Sequence, residues 1–186
     1  MVGKFAFSNY KEAGQDYIGP EGFEELVQDL GYSMDGIEPI ILSWLFGCTK
    51  MGFVSLSEWD KAFKSLKSSS KKSITSAVDA AKNSLKDPAV FKEFYQWVFS
   101  FAKEPNSKSV PSDISSSLYS VIFPTYTHIP QFIDYLNQND TVKALNRDQW
   151  NSLLDFSLTV APDFSNYDFE GSWPIVFDDF VAYSKK

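Results

Sequence analysis

Apolar residues recur along this chain at the three- and four-residue intervals that a helix needs to bury one face. Phe23, Leu26, Val27 and Leu30 keep that spacing, and so do Ile37, Ile40, Ile41, Trp44 and Leu45. Ser55-Leu56-Ser57-Glu58 has the form of a capping box, in which the serine and the glutamate satisfy each other's backbone N–H. Trp59, Phe63 and Leu66 follow it on one face. Asp87-Pro88 reads as an N-cap with proline at the first helical position, where a missing N–H costs nothing. Val90, Phe91, Phe94, Trp97, Val98 and Phe101 continue that stripe. The pattern predicts further helices at about 112–123, 128–138, 146–160 and 173–184. No alternating run is long enough for a core strand, there is no clear internal repeat, and no Pro- or Gly-rich linker divides the chain. The expected fold class is all-α.

Charge changes this picture in one segment. Asp148 to Ser184 carries seven acidic residues and no Lys or Arg, a charge equal to the −7 of the whole 186-residue chain. Trp150, Leu153, Leu154, Phe156, Phe164, Trp173, Phe177 and Phe180 run through it, so it is not a disordered acidic tail. Carboxylates on an aromatic-anchored scaffold hold fixed positions and can recognise a basic partner; a plain solvated acidic surface is the alternative. Nucleic acid is not an expected partner, because the pI is near 4.7 and Arg147 is the only arginine. Lys61, Lys64, Lys67, Lys71 and Lys72 read as a solvated helix face running into a SSSKKS loop rather than as a phosphate site. The single Cys48 allows no internal disulfide and fits a reducing compartment. The longest apolar run, Ile40 to Phe46, falls far short of the ~20 residues that span a bilayer. No secretory signal and no Met-Gly myristoylation start opens the chain. The expectation is a soluble monomer, without membrane contact, in the cytoplasm and/or nucleus.

Catalytic sets are scarce. Cys48 and His128 are the only thiol and imidazole, and LFGCTK around Cys48 has no signature of a cysteine enzyme. A zinc site lacks ligands, and there is no glycine-rich phosphate loop. No catalytic residue, metal or cofactor is expected, and the protein should act by binding. A broken motif bears on the fold. GCTKMGFVSLSE aligned to a calcium-binding EF-hand loop puts Gly52 at the sharp turn, Val54 at the apolar eighth position and Glu58 at the twelfth. Gly47, Thr49 and Met51 occupy the ligand positions and supply no carboxylate. The partner loop around KEAGQDYIGPEG keeps Ile18 but has Gly22 in place of the bidentate glutamate. The reading is paired EF-hand-like helix–loop–helix units without metal, followed by a C-terminal helical half; a calcium sensor is disfavoured.

The segments IGPEGFEELVQDLGY, FKEFYQWVFSFAKEP, LNRDQWNSLLDF and, above all, SNYDFEGSWPIVFDDFVAY resemble the defective-in-cullin-neddylation, or potentiating-neddylation, domain family. The similarity runs from Tyr10 to the C-terminus, so residues 1–9 are read as an N-terminal extension and 10–186 as the domain. No ubiquitin-associated domain is expected before it. The resemblance implies a scaffold-type co-ligase without catalytic residues of its own. Such a protein holds the charged neddylation conjugating enzyme against the basic winged-helix surface of a cullin. It implies a cullin-binding patch at Asp148 of RDQW, Ser172 of GSWP and Asp178 of FDDF, with serine standing where the family has alanine. It also implies a pocket for the acetylated N-terminal methionine of the conjugating enzyme, formed by Phe23, Leu42, Val54, Phe101, Leu118 and Val121 with Pro39 and Met51 at its edge. The alternative function is a generic helical interaction adaptor that has lost cullin specificity at Ser172.

Overall fold

Ten α-helices joined by turns and two very short strand pairs make up the described part of the molecule, a computed structural model covering residues 5–68 and 70–185. The all-α expectation holds. The chain divides into two compact units, one through Phe101 and one from Ala102.

The first unit runs α1 (Phe7–Tyr10), β1 (Tyr17–Ile18), α2 (Pro20–Leu30), α3 (Glu38–Phe46), β2 (Val54–Ser55), α4 (Leu56–Leu66), α5 (Lys71–Ser84) and α6 (Pro88–Ala102), whose last residue crosses the boundary. Proline opens α2, and Gly31 closes it in the left-handed region at φ 89°, where a side chain would be strained. Between them Phe23, Leu26, Val27 and Leu30 are buried, as their spacing requires. Ser55 and Glu58 form the predicted capping box of α4. Trp59 sits at the centre of an aromatic group, 4.5 Å from Phe63 and 5.7 Å from Phe46 between ring centres. Each such pair adds ~0.5–1.5 kcal/mol beyond the area it buries. Asp87 caps α6, accepting from the Ala89 N–H at 2.8 Å. Residues 1–4 of the expected extension, and Lys186, lie outside the described residues. Phe5 is buried, and the Phe7 ring meets Trp59 edge-on at 5.8 Å.

One expectation fails here. The SSSKKS run is not simply a loop, because the chain re-enters a helix at Lys71. Ser70 caps that helix by accepting from the Ser73 N–H at 3.1 Å, and Ile74, Val78 and Ala81 are buried along it. Lys71 turns its ammonium to the Asp29 carbonyl at the end of α2.

The second unit comprises β3 (Ser109–Pro111), α7 (Ser112–Ile122), α8 (Ile129–Gln138), β4 (Ala144–Asn146), α9 (Arg147–Thr159) and α10 (Ile175–Ser184). Its core is aromatic: Trp150, Phe132, Phe156, Phe177 and Phe180 are fully buried. Phe156 stacks on Phe177 at 5.0 Å, and Phe132 meets Phe180 edge-on at 5.1 Å. His128 belongs to this core. Its Nε2 donates to the Val160 carbonyl at 3.1 Å and its ring stacks on Phe164 at 4.5 Å.

Each unit contains one antiparallel strand pair. In the first, Ile18 faces Val54. In the second, Val110 faces Leu145. All four side chains are fully buried, so each pair joins two loops through a hydrophobic contact.

Candidate functional site

The acidic stretch folds into α9, a pinned loop and α10. Asn146 caps α9: its Oδ1 accepts from the Gln149 N–H, and Gln149 Oε1 accepts from the Asn146 N–H, both at 2.9 Å. Asp148 lies in the first turn and is exposed, with its charge at the positive end of the helix dipole. That placement stabilises the helix by ~0.3–1 kcal/mol. The loop after α9 is held by Asn166, whose amide donates to the Thr159 carbonyl at 2.9 Å and accepts from the Ala161 N–H at 2.7 Å. Ser172 is exposed on this loop, just before Trp173, whose ring packs edge-on to Phe156 at 5.4 Å.

Asp178 departs from the simple solvent exposure that helical periodicity predicts. It is half-buried, and Oδ1 accepts a hydrogen bond from the Tyr167 hydroxyl at 2.7 Å. The Tyr167 phenol is pushed well above its usual pKa, first by burial and then by the bond to Asp178 and its charge. Tyr167 was not among the residues that the sequence marked. The first turns of α9 and α10 border one cleft of about 250 Å³, with Gln149 on one wall and Ile175 and Asp179 on the other. Neither Asp148 nor Asp178 lines it.

In the first unit the broken calcium motif has a physical explanation. Glu58 Oε1 accepts from the Thr49 N–H at 2.9 Å and from its hydroxyl at 3.0 Å. Oε2 accepts from the Ser55 N–H at 2.7 Å and from its hydroxyl at 2.8 Å. The carboxylate at the twelfth position thus closes its own loop with four protein donors. Gly47 and Gly52 turn that loop at φ 66° and 77°. At Gly22, a Cβ would run into the Tyr10 carbonyl, so α1 occupies the space that a twelfth-position glutamate would need. Among the described residues there is no group of three or more His, Cys, Asp or Glu able to hold a metal ion.

The expected apolar pocket positions fall as follows. In the first unit Phe23, Pro39, Leu42, Val54 and Phe101 are buried, while Met51 is exposed. In the second, Leu118 is buried and Val121 half-buried. Cys48 is buried, and its thiol is pushed up to about 12 by burial and by the neighbouring Glu58 charge. No helix among the described residues is long and apolar enough to cross a membrane.

The geometry defines a class: an all-α protein that mounts carboxylates on the first turns of two well-packed helices. Comparison with known proteins narrows it. The family described as cullin binding matches residues 73–183. DCN1-like protein 5 of Rattus norvegicus is 34% identical over 178 residues, which cover 95% of this chain and 75% of that protein. DCN1-like protein 5 of Homo sapiens has the same identity and coverage. DCN1-like protein 4 of Danio rerio is 33% identical over 178 residues, covering 95% of this chain and 63% of the relative. The chain belongs to this cullin-binding, defective-in-cullin-neddylation family.

Proposed function

We propose that the protein is a scaffold-type co-ligase that promotes cullin neddylation. Asp148 and Asp178 contact the basic winged-helix region of a cullin, and the small Ser172 lies within the same contact. An apolar site of the first unit that includes Phe23, Leu42 and Val54 receives the acetylated N-terminal methionine of the neddylation conjugating enzyme. Membership of the cullin-binding family supports the first partner. The observation that carries the reading is an aspartate in the first turn of each of two helices, Asp148 on the capped start of α9 and Asp178 on α10, where the Tyr167 hydroxyl bonds it.

The physical logic needs no catalytic side chain. Holding a thioester-charged enzyme against its acceptor lysine turns a bimolecular encounter into a local one, which can raise the effective concentration by many orders of magnitude. Opposite charge across the contact steers the cullin and fixes its register. Acetylation removes the charge of a terminal amine, which would otherwise have to be desolvated or deprotonated to enter an apolar site.

A reconstituted transfer reaction tests the reading. Adding the protein should accelerate modification of the cullin lysine, and Asp178→Lys should abolish the acceleration. An acetylated peptide from the conjugating enzyme should bind more tightly than its free-amine form by ~2 kcal/mol or more. If the protein leaves the transfer rate unchanged, the polar Ser172 favours the second reading, a helical adaptor for another partner.

A further inference from the structure

We propose that Tyr167 is the positioning residue of the acidic face: its hydroxyl fixes Asp178 in one orientation, so that the carboxylate meets a basic partner already ordered. This rests on the reading of Asp178 as a cullin contact. The bond is 2.7 Å long and runs from the phenol to Oδ1, the short geometry of a donor facing a charged acceptor. The phenol cannot easily swing away. Tyr167 is buried, with Phe156 at 5.6 Å, Trp173 stacked at 6.3 Å and Phe169 edge-on at 5.0 Å. Its backbone N–H donates to the Phe164 carbonyl at 3.2 Å, and the adjacent Asn166 is bonded at both ends of its amide. The loop therefore delivers the hydroxyl to α10 from a rigid base.

One consequence concerns entropy. Immobilising a free side chain at an interface costs binding free energy, and a carboxylate restrained beforehand avoids that cost. A second consequence is selectivity between neighbours. Asp179 is exposed and makes no hydrogen bond among the described residues, so it keeps its rotamer freedom while Asp178 does not. Oδ2 of Asp178 accepts no bond among the described residues, which leaves it for a lysine or arginine of the partner. The raised phenol ionisation agrees with the bond.

The experiment combines a double-mutant cycle with tyrosine ionisation, using the full chain and a cullin winged-helix domain. Tyr167→Phe keeps the ring and removes only the hydroxyl. It should weaken cullin binding about threefold to tenfold, the ordering free energy of one side chain. In an Asp178→Ala background the same change should cause no further loss. In an Asp179→Ala background it should cause its full loss. Independently of any partner, Asp178→Ala should let one tyrosine ionise at lower pH than in the unsubstituted protein, read by phenolate absorbance. If Tyr167→Phe binds cullin normally while Asp178→Ala binds poorly, positioning is wrong and the acidic-face reading stands. Equal losses in both backgrounds would mean that Tyr167 acts by another route and would also overturn the proposal. If Asp178→Ala itself binds cullin normally, the acidic-face reading fails and the positioning role fails with it. Should Tyr167→Phe not fold, Asp178→Asn decides by the ionisation readout: it keeps an acceptor but loses the charge, so the phenol should ionise between the two other cases. An unchanged tyrosine titration in both Asp178 variants would rule out the bond.

Discussion

The two units solve the same structural problem with different chemistry. Each begins a helix directly after a paired strand, and each closes that start with a capping box, Ser55–Glu58 in one and Asn146–Gln149 in the other. In the first unit the third-position residue is an acid, and the loop consumes it: both Glu58 oxygens are bonded, to Thr49 and Ser55. In the second unit the cap is a neutral amide. The acid sits one residue earlier, at Asp148, and points its charge at solvent. The lesson is that acidic composition does not measure available charge. A carboxylate that completes its own loop is lost to metal and partner alike, whereas one relieved of capping duty is free to recognise.

Five substitutions test this contrast. The largest effect on binding is expected from Asp178→Lys, which would set like charges against each other across the proposed cullin contact and should cost ~2–5 kcal/mol of affinity. Binding of the acetylated peptide should be unaffected, and a variant that still binds cullin normally would end the recognition role of this face. Glu58→Ala comes next, this time in stability. It strands four donors and should lower the unfolding free energy by ~2–4 kcal/mol in urea titration. Gln149→Ala, at the matching position of the other unit, should lower it by only ~0.5–2 kcal/mol. Equal effects would mean that the two caps are energetically alike after all. Calcium should give neither saturable heat nor a melting shift with the unsubstituted protein, since the glutamate is already engaged. Asp148→Ala should weaken cullin binding by ~1–3 kcal/mol, and that difference should shrink as salt rises, because the residue is exposed. Ser172→Ala is expected to change affinity least, within ~0.5 kcal/mol, by calorimetry. A large loss there would show that the hydroxyl belongs to a different contact.

Much of this was legible in the sequence, and the rest was not for reasons that can be named. Strong amphipathic stripes with caps, such as Phe23–Leu30 and the Ser55 box, foretold their helices because local chemistry and burial agree there. Helix α5 escaped because Ile74, Val78 and Ala81 are a thin stripe in a run of serines and lysines, residues that equally describe a loop. Asp148 and Ser172 were named from their motifs, and both are exposed. The partner of Asp178 was hidden. Tyr167 lies eleven residues away across an irregular loop, and no periodicity relates the two. Gly22 was visible only as a missing glutamate; its positive reason, the Tyr10 carbonyl packed where a side chain would go, needs three dimensions.

In the proposed role beside an activated thioester, the burial of Cys48 has a consequence. A thiolate nearby would be a competing acceptor, stealing the modifier from the conjugating enzyme and stranding it on the scaffold. With its thiol pushed up to about 12, Cys48 stays protonated at neutral pH. Burial also keeps the thiol out of reach. The same Glu58 charge that closes the loop between α3 and α4 helps to keep the sulfur protonated. In that proposed role the thiol would not compete for the modifier, and an alkylating reagent should leave the folded protein unlabelled until it unfolds.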